Sequence, residues 1–413
     1  MKIAVWHNLP SGGGKRALHQ HVKGLTQRGH EIETWSPPGA DQSYLPLSDL
    51  AREHLVPLAW EHVTKKGLPG KIRGACLDTF AMIRAFEEHC RLCAKEINGG
   101  GFDLLYAASS RYMAVAPMGR YVTIPKLLYL QEPSRPLYEA LPNLPWAAPE
   151  LGTGAWKKPR AVAEFLGDFV YVHGLRYLVR EELRNIRAYD AVLANSYFSR
   201  ESILRAYGVN SSVCYLGVDL ENFSKQDVVK DGTVIGVGSF NRAKNIEFVI
   251  RALGQVSDPR PPLIWIGNYA SPNSYLNELR TLARELQVEF IPKNMISDRE
   301  MIQLLNRSLM MLYAPRLEPF GLTPLEANAC GVPVVAVAEG GIRETVLDGV
   351  NGLLVDPDEA AMARGVEQLR DDPIYAGALG DNGWKGVREK WSLESSIDRI
   401  EGKLLQVLTA ARS

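Results

Sequence analysis

Short apolar runs alternate with amphipathic stretches along almost the whole chain. Lys2–Trp6, Glu31–Trp35, Leu104–Ala108, Leu127–Leu130 and Ala191–Ala194 read as strands in the first half. Val234–Val237, Leu263–Ile266, Leu309–Tyr313 and Val334–Ala338 do so in the second. Helical spacing recurs between them, from Lys15 to Arg28 and over Ile246–Val256, Ser274–Leu286 and Arg299–Asn306. Runs that are apolar throughout belong to strands covered on both faces, and strands separated by helices form parallel sheets. The pattern predicts an α/β protein of two Rossmann-like, doubly wound domains, each with a Gly-rich strand-to-helix loop. The polar, aperiodic stretch Asp219–Gly232 marks the expected boundary. Residues 1–218 then form an N-terminal domain and 219–390 a C-terminal one, with a last helix within 391–413 crossing back to the first.

A chain of 413 residues fits two domains of ordinary size. The apolar and charged fractions, 46% and 23%, are those of a globular protein, and no apolar run is long enough to span a bilayer. The start, MKIAVWHNLP, lacks the apolar core of a signal peptide, so a cytoplasmic location is expected. Five cysteines in a long chain argue against a disulfide framework, and Cys90 and Cys93 lack the second pair that a zinc site needs. Net charge is zero, yet the first half is basic and the second acidic. A basic half suits an anionic surface or acceptor, while the absence of a dense basic-aromatic tract speaks against nucleic acid. Within Pro133–Asp190, Trp156, Lys157, Lys158 and Arg160 lie close to Phe165, Phe169 and Tyr171. This stretch reads either as a membrane-facing or lipid-acceptor flap, peripheral on the inner face of the plasma membrane, or as an inserted helix pair with a solvated basic face.

The most specific chemistry lies between Glu318 and Gly341, in EPFGLTPLEANACGVPVVAVAEGG, a loop and short helix between two apolar strands. Thr323 reads as the N-cap of a helix over Pro324–Ala329, which Gly331 ends. The free amides of Phe320–Leu325, including Gly321 and Leu322, would then form an anion and hydroxyl site at the carboxyl edge of the sheet. Glu318 sits on the loop ahead of them. Glu326 has two readings, a ligand contact or the N3 partner of a Thr323 capping box. In VGSFNRAKN the strand ends at Gly238 and a helix is expected from about Lys244, so Arg242 and Lys244 place two cations at a helix start. Cations there oppose the macrodipole and suit a bound diphosphate. Near the N-terminus, Gly12-Gly13-Gly14-Lys15-Arg16 opens the first helix; it is not a Walker A loop, and Gly12–Ala17 only loosely matches a dinucleotide fingerprint. Asp356-Pro357-Asp358 reads as a turn and N-cap, and no essential metal is expected, since amides and basic side chains can neutralise a diphosphate.

The string E-P-F-G-L-x-P-L-E-A-x-A-C-G-V-P-V-V-A, with Glu318 and Glu326 seven residues apart, resembles the E-x7-E signature of family 4 retaining glycosyltransferases. LANSYFSRESILRAYG, Gly217-Val218-Asp219, VGSFNRAKN and LDGVNGLLVDPD extend the likeness over most of the chain. The resemblance implies a GT-B fold, two Rossmann-like domains facing a central cleft, and transfer of a hexose from a nucleotide diphosphate sugar with retention. Its acceptor would be a hydroxyl of a glycan or lipid-linked molecule, as in cell-envelope polysaccharide synthesis. It implies that Glu318 contacts the donor sugar and Glu326 the ribose, with backbone contacts from Phe320, Gly321, Leu322 and Thr323. Gly12 and Gly13 would let the backbone approach the donor phosphates, Gly238, Ser239, Arg242 and Lys244 would line the diphosphate, and Lys15 and Arg16 would face an anionic acceptor. The family often has arginine where this chain has Ser239, and histidine where it has Gln131, the first-domain residue assigned to catalysis. Glutamine cannot titrate, so a histidine base at that position is excluded; His7, His19 and His21 read as surface or packed histidines. In the family's mechanism a donor phosphate oxygen takes the acceptor's proton. FIPKNMI, residues 290–296, is where the base is expected. The donor, GDP-mannose or a UDP-glucose type, stays open. So do the readings as a nucleotide-sugar epimerase, a phosphorylase, an NAD-dependent oxidoreductase or a non-catalytic sugar-nucleotide binder.

Overall fold

The computed structural model describes residues 1–60, 68–140, 144, 146–148, 159–269 and 273–412. They fall into two compact units. The first comprises Met1–Asn195, Ser199–Cys214 and Ile397–Ser413, and the second Ser196–Phe198 and Tyr215–Ser396. Trp156, Lys157 and Lys158 lie outside the described residues, as does the side chain of Arg160.

The first unit is built on seven parallel strands: β1 (Lys2–Asn8), β2 (Glu31–Ser36), β3 (Arg52–Leu55), β4 (Leu104–Ser110), β5 (Lys126–Tyr129), β6 (Ala191–Ala194) and β7 (Ser212–Val213). Their order is β3-β2-β1-β4-β5-β6-β7, so the direction of winding reverses between β1 and β4. One face of the sheet packs on the helix Leu68–Gly99, where Trp6 meets Phe86, Cys90, Cys93 and Ile97 in one buried core. Trp6 Nε1 donates to His89 Nε2 at 3.1 Å, which satisfies both buried groups. Cys90 and Cys93 are free thiols sealed in this core, and burial pushes both pKa values up. Among the described residues of Pro133–Asp190 are a helical turn at Arg135–Tyr138 and a long helix, Pro159–Ile186. That helix packs along Leu68–Gly99, with Phe80 and Tyr177 edge to face at 4.5 Å.

The second unit has six parallel strands: β8 (Val234–Val237), β9 (Leu263–Ile266), β10 (Phe290–Lys293), β11 (Met310–Tyr313), β12 (Val334–Val337) and β13 (Gly352–Val355). Their order is β10-β9-β8-β11-β12-β13, with the winding reversing between β8 and β11. Helices Ile246–Gly254, Ser274–Glu285 and Glu359–Asp371 supply apolar faces to its core. Asp358 caps the last of these by accepting from Ala361 N at 2.9 Å, so Asp356-Pro357-Asp358 is a turn and cap. Within FIPKNMI, Phe290–Lys293 pairs with β9 as an edge strand.

The expected boundary also moves. The main stretch of the second unit starts at Tyr215, ahead of Asp219–Gly232, and keeps residues 391–396. Val218 N donates to Trp391 O and Leu393 N to Val218 O, both at 2.8 Å. The backbone is so close here that a Cβ on Gly217 would stand 2.3 Å from Ser392 O. The helix Leu393–Arg412 joins the first unit from Ile397 onward. There Ile397 occupies the space over Gly24, and Arg28 pairs with Asp398 and Glu401, each at 2.6 Å.

Candidate active site

In open parallel sheets, ligands bind beyond the carboxyl ends of the strands where the winding reverses. In the second unit that point lies between β8 and β11, and the residues following these two strands meet there. Lys244 Nζ donates to Glu318 Oε2 at 2.8 Å, each side chain 23% exposed. The stem of Lys244 lies over Gly238, where a Cβ would come within 3.1 Å of it. Lys244 stands in a 3-10 turn, Arg242–Lys244, cut off from the helix Ile246–Gly254 by Asn245 at φ 53. It is therefore not in the first turn of an α-helix, and the expected conflict with a macrodipole does not arise.

Arg242 departs further from expectation. Its guanidinium pairs with Glu278 at 2.5 Å and with Glu247 at 3.7 Å, and lies over the Tyr275 ring. Ser239 is exposed and accepts from Asn241 Nδ2 at 2.7 Å. Among the described residues, Lys244 is the cation that the structure joins to Glu318.

The backbone of Glu318 is clamped by two glycines to which the sequence reading gave no role. Gly341 N donates to Glu318 O at 2.8 Å. A Cβ on Gly341 would stand 2.1 Å from Pro319 O, and one on Gly340 2.5 Å from Glu318 O. Neither distance is tolerable, so the AEGG sequence is what lets β12's loop press against the glutamate loop; the pair of glycines after a strand was the available signal. Beyond Glu318, Phe320 is buried against Tyr215 and Trp391, at 6.0 and 5.7 Å between ring centres.

The helix that follows begins earlier than expected, at Leu322, with Gly321 as N-cap in the left-handed region at φ 90. Thr323 is then the second helical residue, and the Thr323–Glu326 capping box does not form, since its geometry needs threonine outside the helix. The amides of Leu322 and Thr323 have no partner within the helix, and Pro324 has no N–H. Gly331 at φ 71 follows the Cys330 cap, as a helix-ending glycine should. Glu326 is buried at 3% exposure.

In the first unit the winding reverses between β1 and β4. The loop after β1 leads into the helix Gly13–Gln27, with Gly12 as N-cap at φ 138. Nothing lies within 4 Å of where a Cβ would stand on Gly12 or Gly13, so both backbones are open to a ligand. Gly14 faces Gln131, whose Oε1 would be 3.2 Å from its Cβ, and the two candidate segments are thus neighbours. Asp41 fastens the loop: it accepts from Ser43 N and Tyr44 N at 2.8 and 3.0 Å, and its amide bonds Leu9 O. The bonds its carboxylate accepts from Tyr44 and Ser43, with one from Ser11, hold its pKa down to about 2.

Lys15 does not face an acceptor. It is fully buried, its Nζ has no hydrogen-bond partner, and burial lowers its pKa despite Glu53 and Asp41 nearby. Arg16 is half-buried and donates to Tyr44 Oη at 3.1 Å. His7 and His21 are interior groups too, while His19 is half-buried. His7 is buried beside Lys15 with its pKa lowered to about 3. His21 is buried against Tyr106 Oη at 2.9 Å and lowered to about 4, and burial also lowers His19.

Residues 219–385 match the family model described as glycosyl transferases group 1. The matched stretch lies within the second unit. The mouse alpha-1,3/1,6-mannosyltransferase ALG2 is 28% identical over 239 residues, 51% of this chain and 57% of that protein. A Mycobacterium D-inositol 3-phosphate glycosyltransferase is 30% identical over 184 residues, 40% of this chain and 41% of that one. The chain thus spans a little over half the length of the first of these relatives. Among solved structures, sucrose-phosphate synthase from Thermosynechococcus elongatus matches with a TM-score of 0.71 at 19% identity, covering all of both chains. Anabaena HepE in complex with UDP also gives 0.71 at 19% identity, over 98% of this chain and 100% of that one. The matched model and these relatives support the resemblance to family 4 type glycosyltransferases, and the solved structures share the fold of the chain.

Proposed function

We propose that the protein is a retaining glycosyltransferase that moves a hexose, of mannose or glucose type, from a nucleotide diphosphate sugar to a hydroxyl of a glycan or lipid-linked acceptor. The observation that carries this reading is the placement of Lys244 and Glu318 at the β8/β11 reversal, 2.8 Å apart, close in sequence to the free amides that open the Leu322–Ala329 helix. A cation with unpaired amides suits a diphosphate, and a carboxylate suits sugar hydroxyls. The domain match and the mannosyltransferase relative support the same class, and the HepE complex is with UDP.

In this reading Lys244 and the amides of Leu322 and Thr323 stabilise the leaving diphosphate, and Glu318 orients the sugar and favours positive charge growing near its anomeric carbon. A phosphate oxygen takes the acceptor proton; His7 and His21 are buried, and their lowered pKa values make them weak bases. Gln131 and the open Gly12–Gly13 backbone serve on the first-unit side. We assign the protein to the cytoplasm, in peripheral contact with the inner face of the membrane. On the Pro159–Ile186 helix, Leu166, Phe169 and Tyr171 are exposed, followed by His173, Arg176 and Arg180. Apolar and then basic groups on one helix suit an anionic lipid surface.

A thermal-shift screen of UDP, GDP, ADP, dTDP, their common sugar conjugates and NAD tests the reading. Stabilisation by one nucleoside diphosphate and its sugar conjugate is expected. Stabilisation by NAD alone overturns it in favour of an oxidoreductase. Glu318→Ala should keep its melting temperature and lose transfer by at least about a hundredfold; turnover like wild type removes Glu318 from the mechanism.

A further inference from the structure

The contact that marks the donor site also has a consequence for how the site empties. Lys244 and Glu318 neutralise one another at 2.8 Å, and Arg242 is turned to Glu278 and Glu247. Both partners are partly exposed, at 23% each, so water compensates either charge only in part once the contact breaks. The Glu318 backbone is clamped by Gly340 and Gly341, so the carboxylate cannot retreat with its loop. A diphosphate that recruits Lys244 therefore leaves a fixed carboxylate without its cation, near new negative charge.

We infer that Lys244 and Glu318 form an exchange pair: a donor's diphosphate takes Lys244 while the donor's sugar hydroxyls satisfy Glu318, and loss of the sugar returns Glu318 to Lys244 and helps expel the diphosphate. The inference rests on the donor-site reading above. The intact donor supplies a partner to each member of the pair. The nucleoside diphosphate product supplies one to Lys244 alone and leaves Glu318 stranded. The pair thus discriminates substrate from product at a site that both must occupy, and Lys244 acts both as a phosphate ligand and as the counter-charge that restores the empty state.

The consequence runs against the usual effect of deleting a site residue. Titration of UDP, GDP, ADP and dTDP into the full chain by calorimetry identifies the nucleotide that wild type binds. Glu318→Gln, nearly isosteric and uncharged, should bind that diphosphate about three- to tenfold more tightly than wild type. Glu318→Ala should shift affinity in the same direction and serves as the second variant if the glutamine form does not fold. Lys244→Met should weaken binding, and adding Glu318→Gln to it should give no gain. For the matching nucleotide sugar, Glu318→Gln should show a smaller gain or a loss. Unchanged or weaker diphosphate binding by the Glu318 variants overturns the exchange. Failure of wild type to bind any of the four diphosphates overturns the donor-site reading itself, and the exchange with it.

Discussion

Lys15 and Lys244 stand at matching places in the two sheets, one after β1 and the other after β8, each beside the strand where the winding reverses. In sequence both are lysines at the start of a helical stretch behind a glycine. The structure makes them opposites. Lys15 is fully buried without a hydrogen-bond partner and its pKa is lowered by burial, whereas Lys244 is partly exposed and paired with Glu318. The first unit encloses its ionisable groups beneath the strand ends, with His7 and Glu182 also fully buried. The second holds a charged pair at the strand ends, within reach of solvent. A cation near a glycine-rich loop is thus no guide to a ligand until its burial is known.

The glycines give the largest expected effect. Gly341→Ala should force its Cβ against Pro319 O, displace the Glu318 loop and lower transfer by about a hundredfold, as a misplacement of about 1 Å can. Gly13→Ala, with open space around it, should leave stability within about 0.5 kcal/mol. Transfer rates and melting temperatures of the two variants check the contrast, and a Gly341→Ala protein with full activity would mean that the clamp is dispensable.

Lys15 tests the interior side of the comparison. Lys15→Ala should cost about 2–4 kcal/mol by leaving a cavity. Lys15→Met, which fills the space without a charge, should melt within about 1 kcal/mol of wild type. If denaturant unfolding shows the two variants equally damaged, the ammonium itself is needed, and Lys15 is closer in role to Lys244 than its burial indicates.

The smallest effect concerns Glu182. It accepts from Ala114 N at 2.7 Å and from Tyr207 Oη at 2.9 Å, tying the loops that follow β4 and β5, since Ser134 N also bonds Tyr207 Oη. Burial raises its pKa to about 7 from 4.5, the hydrogen bonds opposing the shift. A carboxyl group whose folded pKa is raised binds its proton more tightly when folded. Its contribution is therefore full below the unfolded pKa and is lost as pH rises through 7. Stability should fall by about 1 kcal/mol from pH 6 to pH 8 on this account, and Glu182→Gln should flatten that slope. An unchanged slope in the variant would remove the first unit's buried carboxyl as a source of pH sensitivity.

The strands legible in the sequence are the interior ones. β1, β4, β5 and β6 in the first sheet, and β8, β9, β11 and β12 in the second, have apolar runs because both faces are covered, while β2 alternates. β3, β7 and β10 were not read as strands. All three are edges, with sequences Arg-Glu-His-Leu, Ser-Val and Phe-Ile-Pro-Lys, and an edge does not need an apolar run, although the fourth edge, β13, has one in Gly-Leu-Leu-Val. At the site, Glu318, Lys244, Gly321 and Gln131 were named from motif and resemblance. The Gly340–Gly341 clamp was not, because its reason is a close approach between two loops distant from any local pattern.

The sequence by itself determined two series of buried strands and helices, the loops that carry the candidate chemistry and the kind of enzyme they resemble. These follow from local patterning, which is a property of neighbouring residues along the chain. Only the tertiary structure decided that Lys15 is an interior group and Lys244 a partner of Glu318. It also turned Arg242 toward Glu278, and moved the helix cap from Thr323 to Gly321. Those outcomes depend on which atoms are brought together across long sequence separations, where burial and the nearest opposite charge, not residue type, set what an ionisable group does.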